Sequence, residues 1–109
     1  MLKKIAKRID KELRQAVDYV EQAYLIRNKS SQTADLFVML AGEELEHAEK
    51  LLSEGARLIE AGNTMHDEVE SKENDEWKQH CAAIWSWEKR LANDCISECR
   101  YKIRLYKNR

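Results

Sequence analysis

The fold is decided by residues 33–61, which run TADLFVMLAGEELEHAEKLLSEGARLIEA. Their apolar side chains recur at steps of three and four residues, which is the period of an amphipathic α-helix. Ser31 or Thr33 is the expected N-cap, and Gly62-Asn63 is a typical signal for the end of a helix. The stretch therefore predicts a long helix with an unusually wide apolar face.

The same periodicity predicts one more helix on each side of this one. We expect helices over about residues 2–27, 33–61 and 74–107. The links between them are short and polar, which favours antiparallel neighbours. The chain has no proline and only three glycines, which is too few turn residues for a strand-rich fold. The sequence therefore predicts a single all-α domain over residues 1–109, an antiparallel three-helix up-down bundle.

Charge and composition argue against several classes of function. The chain holds 19 Lys and Arg against 20 Asp and Glu, so no global field favours nucleic acid or a membrane surface as a partner. We expect no membrane span and no signal peptide, because no apolar run of about 18 residues is present and the first residues lack an apolar core. Three cysteines make a poor disulfide framework, which predicts reduced thiols and a cytoplasmic protein.

Glu44 is the carboxylate that does not fit an amphipathic helix. On a wheel of about 100° per residue it falls inside the apolar arc, one turn after Leu40 and Ala41 and one turn before Ala48. An unpartnered carboxylate in apolar surroundings costs several kcal/mol, so it requires a partner such as a cation. His47 lies on the same arc, and side chains at i and i+3 can reach one ion. Glu44 and His47 therefore predict a metal-binding pair.

Two further carboxylates are candidate ligands. Glu88 lies on the apolar stripe of the third helix. In an antiparallel pair of helices, facing residues lie equally far from the centre of the connection. With a centre near residue 68, Glu88 is within one position of the residue that faces His47. On the first helix, Gln15 is at the level of Glu44 but points outward on the wheel. Glu12 is about one turn from that level and flanks the apolar stripe, so it is the preferred candidate. Three carboxylates and one imidazole suit Fe, Mn or Zn better than Ca or Mg.

Residues 41–51, AGEELEHAEKL, resemble the metal-binding second helix of ferritin-like and rubrerythrin-like di-iron carboxylate proteins. Residues 15–19, QAVDY, resemble the first helix of the short encapsulated-ferritin type, and the resemblance covers about residues 10–60. It implies a ferritin-like helical hairpin, here followed by a third long helix, with Glu44 and His47 as the metal-binding pair.

The resemblance also implies a function and departs from its family at two points. Gln15 stands where the short form has its first-helix Glu, so Glu12 would substitute for it, and Glu88 would act as the third-helix Glu. A second Glu-x-x-His helix is absent from the chain, so a di-iron centre requires a second subunit. We therefore expect a homo-oligomer, a dimer or higher, with iron binding and with Fe(II) oxidation if two ions assemble.

A metal-free protein of the same fold explains the same residues. Glu44 and His47 can form a core pair that is hydrogen-bonded to each other and to Tyr19 or Glu12. In this interpretation Glu12 is a solvated acid near Arg8.

The third helix supplies its own alternatives. Glu88 can pair with Arg90, with Arg14 or with His47 instead of binding metal. This helix also carries tryptophans at positions 77, 85 and 87. An exposed tryptophan beside a core stripe favours a helix-packing interface. The chain would then be an interaction or adaptor protein, such as a phage- or mobile-element-type accessory protein, with a protein partner on this helix. Recognition of DNA by the basic residues 100–109 is the weakest option, because no helix-turn-helix signal accompanies them.

Overall fold

The computed structural model describes the backbone of residues 1–62 and 75–108, and the side chains of residues 1–62 and 82–108. The described chain forms three α-helices, α1 (Leu2–Ile26), α2 (Ser31–Glu60) and α3 (Asp75–Lys107), and its described residues contain no strand. The all-α prediction is confirmed, and the helix bounds agree with the expected ones to within two residues. None of the described helices combines the length and the apolar character that a membrane crossing requires.

The start of α2 lies earlier than the sequence pattern indicated. Ser30 is the N-cap, with an extended backbone (φ −152°, ψ 97°), and its Oγ accepts a hydrogen bond of 3.2 Å from the Thr33 backbone N–H. The expectation that Ser31 or Thr33 caps the helix is wrong, because both already lie within its first turn. At the other end, Gly62 follows the helix with φ of 87° and donates its N–H to the Ile59 carbonyl at 3.0 Å. The predicted glycine stop is therefore confirmed.

The interface between α1 and α2 is built on small side chains. These two helices make most of the contacts between helices in the described chain. Small residues allow two helix backbones to approach closely, so larger side chains on either edge of the interface can meet across it. The buried small residues of the core on these two helices are Ala16 and Ala23 of α1 and Ala34, Ala41 and Ala48 of α2.

Helix α3 packs mainly against α1 and makes fewer contacts with α2. Near its C-terminal end, the Tyr24 hydroxyl donates a 2.8 Å hydrogen bond to the backbone carbonyl of Lys102. The Tyr106 hydroxyl lies 2.7 Å from Asp35 Oδ1 on α2 and donates to it. Two tyrosines, one from α1 and one from α3, therefore hold the end of α3 against both other helices.

Gly55 allows the indole of Trp85 to pack directly on the backbone of α2. A Cβ added at Gly55 would overlap the Cη2 and Cζ2 atoms of Trp85. Trp85 is only 4% exposed, whereas Trp87, two residues later, is 58% exposed. Trp85 is therefore a core residue of the α2–α3 contact, and Trp87 faces solvent.

Candidate metal centre

The packing of α1 on α2 brings Glu12, Glu44 and His47 together. Each of the three offers a ligand atom, and these atoms all lie within 4.8 Å of one another. His47 Nδ1 lies 3.6 Å from Glu12 Oε2 and 3.9 Å from Glu44 Oε2. Both distances are too long for a hydrogen bond. Such distances are typical of ligand groups that surround a common point and are not hydrogen-bonded to one another.

Each of the two carboxylates occupies a position that is otherwise apolar along its helix. Residues seven apart lie on the same side of a packed helix, and the neighbours of both acids at this spacing are buried or half-buried apolar side chains. Beside the cluster, the rings of Tyr19 and Phe37 stack across the interface with centroids 5.8 Å apart. The two columns are Ile5, Glu12, Tyr19 and Ile26 on α1, and Phe37, Glu44, Leu51 and Leu58 on α2.

Glu12 is the most deeply buried member of the cluster. Its side chain is 4% exposed, and its Oε1 accepts a 2.8 Å hydrogen bond from Arg8 Nε. The interpretation of Glu12 as a solvated acid is therefore wrong, although Arg8 is the neighbour that it named. The signal in the sequence was the i, i+4 spacing of the two residues together with the place of Glu12 in an apolar column.

Glu44 carries a buried oxygen that no hydrogen bond satisfies. Its side chain is 17% exposed, yet Oε2 is inaccessible to water and meets no hydrogen-bond donor in the described part of the chain. A buried carboxylate oxygen of this kind costs about 1–3 kcal/mol or more unless a donor or a cation meets it. This atom points at the same cluster as Glu12 Oε2 and His47 Nδ1.

His47 forms the open side of the cluster. Its side chain is 53% exposed, so the group of three is accessible from solvent through the imidazole. Two carboxylates and one neutral imidazole nitrogen form a mixed oxygen and nitrogen donor set, which suits Fe, Mn or Zn. The three residues therefore fit a transition-metal ion, and the orphaned oxygen of Glu44 is the observation that supports the fit.

Glu88 lies apart from this cluster. It lines a groove between α1 and α3 together with Leu13 and Val17, and no ion pair links it to another residue of the described chain. The sequence prediction considered the level of Glu88 along the bundle and did not consider on which side of α1 the third helix packs. Glu12 and Val17 lie about 140° apart on the helical wheel, so α1 itself separates Glu12 from the groove. Gln15 is exposed, in agreement with its expected outward direction.

No protein-family model, curated protein or solved structure matches this chain. The geometry of the Glu12, Glu44 and His47 cluster is therefore the main indication of function.

Proposed function

We propose that this protein binds a transition-metal ion through Glu12, Glu44 and His47. The observation that carries the proposal is the buried Oε2 of Glu44, which faces two other ligand groups and has no hydrogen-bond donor among the described residues. A metal ion would meet this oxygen, Glu12 Oε2 and His47 Nδ1 together. Iron, manganese and zinc are the candidate ions, because the set includes an imidazole nitrogen.

The ferritin-like character of the protein is part of the proposal. The contacts run in opposite directions along the two helices, since Glu12 meets His47 whereas the later residue Tyr19 meets the earlier residue Phe37. This pairing supports the expected antiparallel hairpin, with α3 as the third helix of an up-down bundle. The Glu-x-x-His spacing of Glu44 and His47 then supplies both α2 ligands from one face of the hairpin.

The experiment is a measurement of metal content on protein purified without a nickel step, repeated after anaerobic loading with Fe²⁺, Mn²⁺ or Zn²⁺. We expect about one equivalent per chain or per two chains, and a higher melting temperature with the ion present. Glu44→Gln should abolish both effects. Glu46→Gln is the matched control, because Glu46 is exposed on the same helix and its substitution removes the same charge. Absence of metal from the loaded wild-type protein, or its retention in Glu44→Gln, would overturn the proposal.

We also propose that the protein is a homo-oligomer, a dimer or higher. Four large apolar side chains of α3 are about half exposed, which is more apolar surface than one short domain needs to leave in water. A second subunit could also complete the metal site on its open His47 side. The four side chains are Trp87, Leu91, Tyr101 and Leu105.

The same surface favours a second candidate function, a metal-free interaction or adaptor protein whose partner binds α3. Sedimentation at micromolar concentration separates the two cases. A dimer or larger species that Trp87→Ser and Leu105→Ser convert to a monomer supports self-association. A wild-type monomer of 12.8 kDa would instead favour the candidate function in which another protein binds the α3 surface. A cytoplasmic location remains part of the proposal, and the free thiols of Cys95 and Cys99 support it.

A further inference from the structure

The two oxygens of Glu12 have different neighbours. Oε1 accepts the hydrogen bond from Arg8 Nε at 2.8 Å, and Oε2 lies 3.6 Å from His47 Nδ1. Arg8 reaches Glu12 from one turn earlier on α1, and its own side chain is 58% exposed. One oxygen of this buried carboxylate is therefore bound to a cation of the protein, and only the other faces the candidate metal centre.

This division limits how many ions the centre can hold. A carboxylate that bridges two metal ions in the common two-oxygen mode needs both of its oxygens, and Oε1 of Glu12 is engaged by Arg8. We infer, on the basis of the proposed function, that the centre takes a single metal ion and that the Arg8 guanidinium occupies the position of a second cation. Two carboxylate charges then face one divalent ion and one guanidinium.

The inference gives Arg8 two opposite effects. In the metal-free protein Arg8 neutralises a carboxylate that is 4% exposed, so its removal leaves a buried charge without a partner. In the metal-bound protein Arg8 is a positive charge near a second one, and its removal relieves their repulsion. A residue that merely supported the local structure would weaken both states together.

The experiment titrates the full-length protein with Mn²⁺ and follows free Mn²⁺ by its paramagnetic resonance signal. We expect the wild type to bind at most one Mn²⁺ per chain. Arg8→Ala should bind Mn²⁺ on the order of tenfold more tightly, while its melting temperature in a chelator falls. Arg8→Lys keeps the charge and should bind Mn²⁺ like the wild type. Arg8→Gln keeps an N–H donor without the charge and replaces Arg8→Ala if that variant does not fold.

Lys11→Ala is the matched control for a lost positive charge on α1, because Lys11 is exposed and forms no ion pair with a described residue. It should leave both the affinity and the metal-free melting temperature within error of the wild type. Two Mn²⁺ ions per wild-type chain would overturn the inference and leave the metal-binding proposal intact. Weaker binding by Arg8→Ala and Arg8→Gln would also overturn it, since Arg8 would then only support Glu12. If the wild type binds no metal at all, the proposed function fails and the inference fails with it.

Discussion

The carboxylate of Glu12 and the imidazole of His47 face each other across the α1–α2 interface, with Oε2 and Nδ1 3.6 Å apart. The distance is too long for a hydrogen bond, and it is short enough for both atoms to reach one ion. Glu12 belongs to α1 and His47 belongs to α2. Metal binding would therefore depend on the packing of the two helices and would in turn stabilise it.

The first prediction concerns His47, because its role differs between the two states. The side chain is 53% exposed and makes no hydrogen bond within the described residues, so His47→Ala should change the metal-free stability by less than about 0.5 kcal/mol. The same variant should lose the stabilisation by metal, which is about 2.7 kcal/mol for a wild type at one hundred times its dissociation constant. Thermal unfolding with chelator and with Zn²⁺ measures both. An equal loss of stability under the two conditions would indicate a purely structural histidine.

The second prediction concerns Glu44 in the absence of metal. Glu44→Leu removes a buried oxygen that lacks a hydrogen-bond donor in the described chain, and should stabilise the metal-free protein by about 1–2 kcal/mol. Urea unfolding in a chelator measures the change. The exposed neighbour Glu43 is the control, and Glu43→Leu should have no comparable effect. Destabilisation by Glu44→Leu would argue that the carboxylate is already well satisfied.

The third prediction compares two helical glycines of α2. Gly55→Ala would drive a methyl group into the Trp85 indole and should destabilise the protein by about 1–3 kcal/mol. Gly42 has no heavy atom within 4 Å of an added Cβ, so Gly42→Ala should stabilise the protein by up to about 1 kcal/mol through helix propensity alone. Melting temperatures of the two variants should therefore shift in opposite directions. Shifts of the same sign would contradict the Gly55–Trp85 contact.

The fourth prediction concerns the pH dependence of stability. Burial raises the pKa of the Cys99 thiol from 9.0 to about 11, and it also raises the pKa of Cys95. The native state therefore keeps this proton to higher pH than the unfolded chain does. The contribution of Cys99 is fully present below pH 9 and is lost as the pH rises towards about 11. Urea midpoints at pH 8 and pH 10 should fall more for the wild type than for Cys99→Ala. Parallel curves for the two proteins would refute a buried, protonated thiol.

Periodicity alone predicted much of the fold, because a step of three and four residues has one physical meaning on a long chain without proline. The prediction from periodicity was least accurate at the start of α2. Ser30, Ser31 and Thr33 are all residue types that cap helices well, and only the backbone angles identify Ser30 as the N-cap. Trp77, one of the three tryptophans of the third helix, lies outside the residues whose side chains are described.

The candidate site was predictable to the extent that it depends on one helix or on the packing of α1 against α2. Glu44 and His47 follow from the wheel of α2, and Glu12 follows from the level and edge of α1. The position of Glu88 also depends on the side of α1 against which α3 packs, and the centre of a connection carries no information about that side. The role of Arg8 depends on a rotamer, and a helical wheel carries no information about rotamers.

The contrast between Trp85 and Trp87 gives α3 an optical consequence. An indole in apolar surroundings emits at shorter wavelength than one in water, and a dissolved quencher such as iodide does not reach it. The two tryptophans are 4% and 58% exposed, so a protein that carries both Trp77→Phe and Trp87→Phe would leave Trp85, buried against Gly55, as its one tryptophan emitter. Its emission wavelength and its quenching by iodide would then report, without any added dye, each departure of α3 from α2.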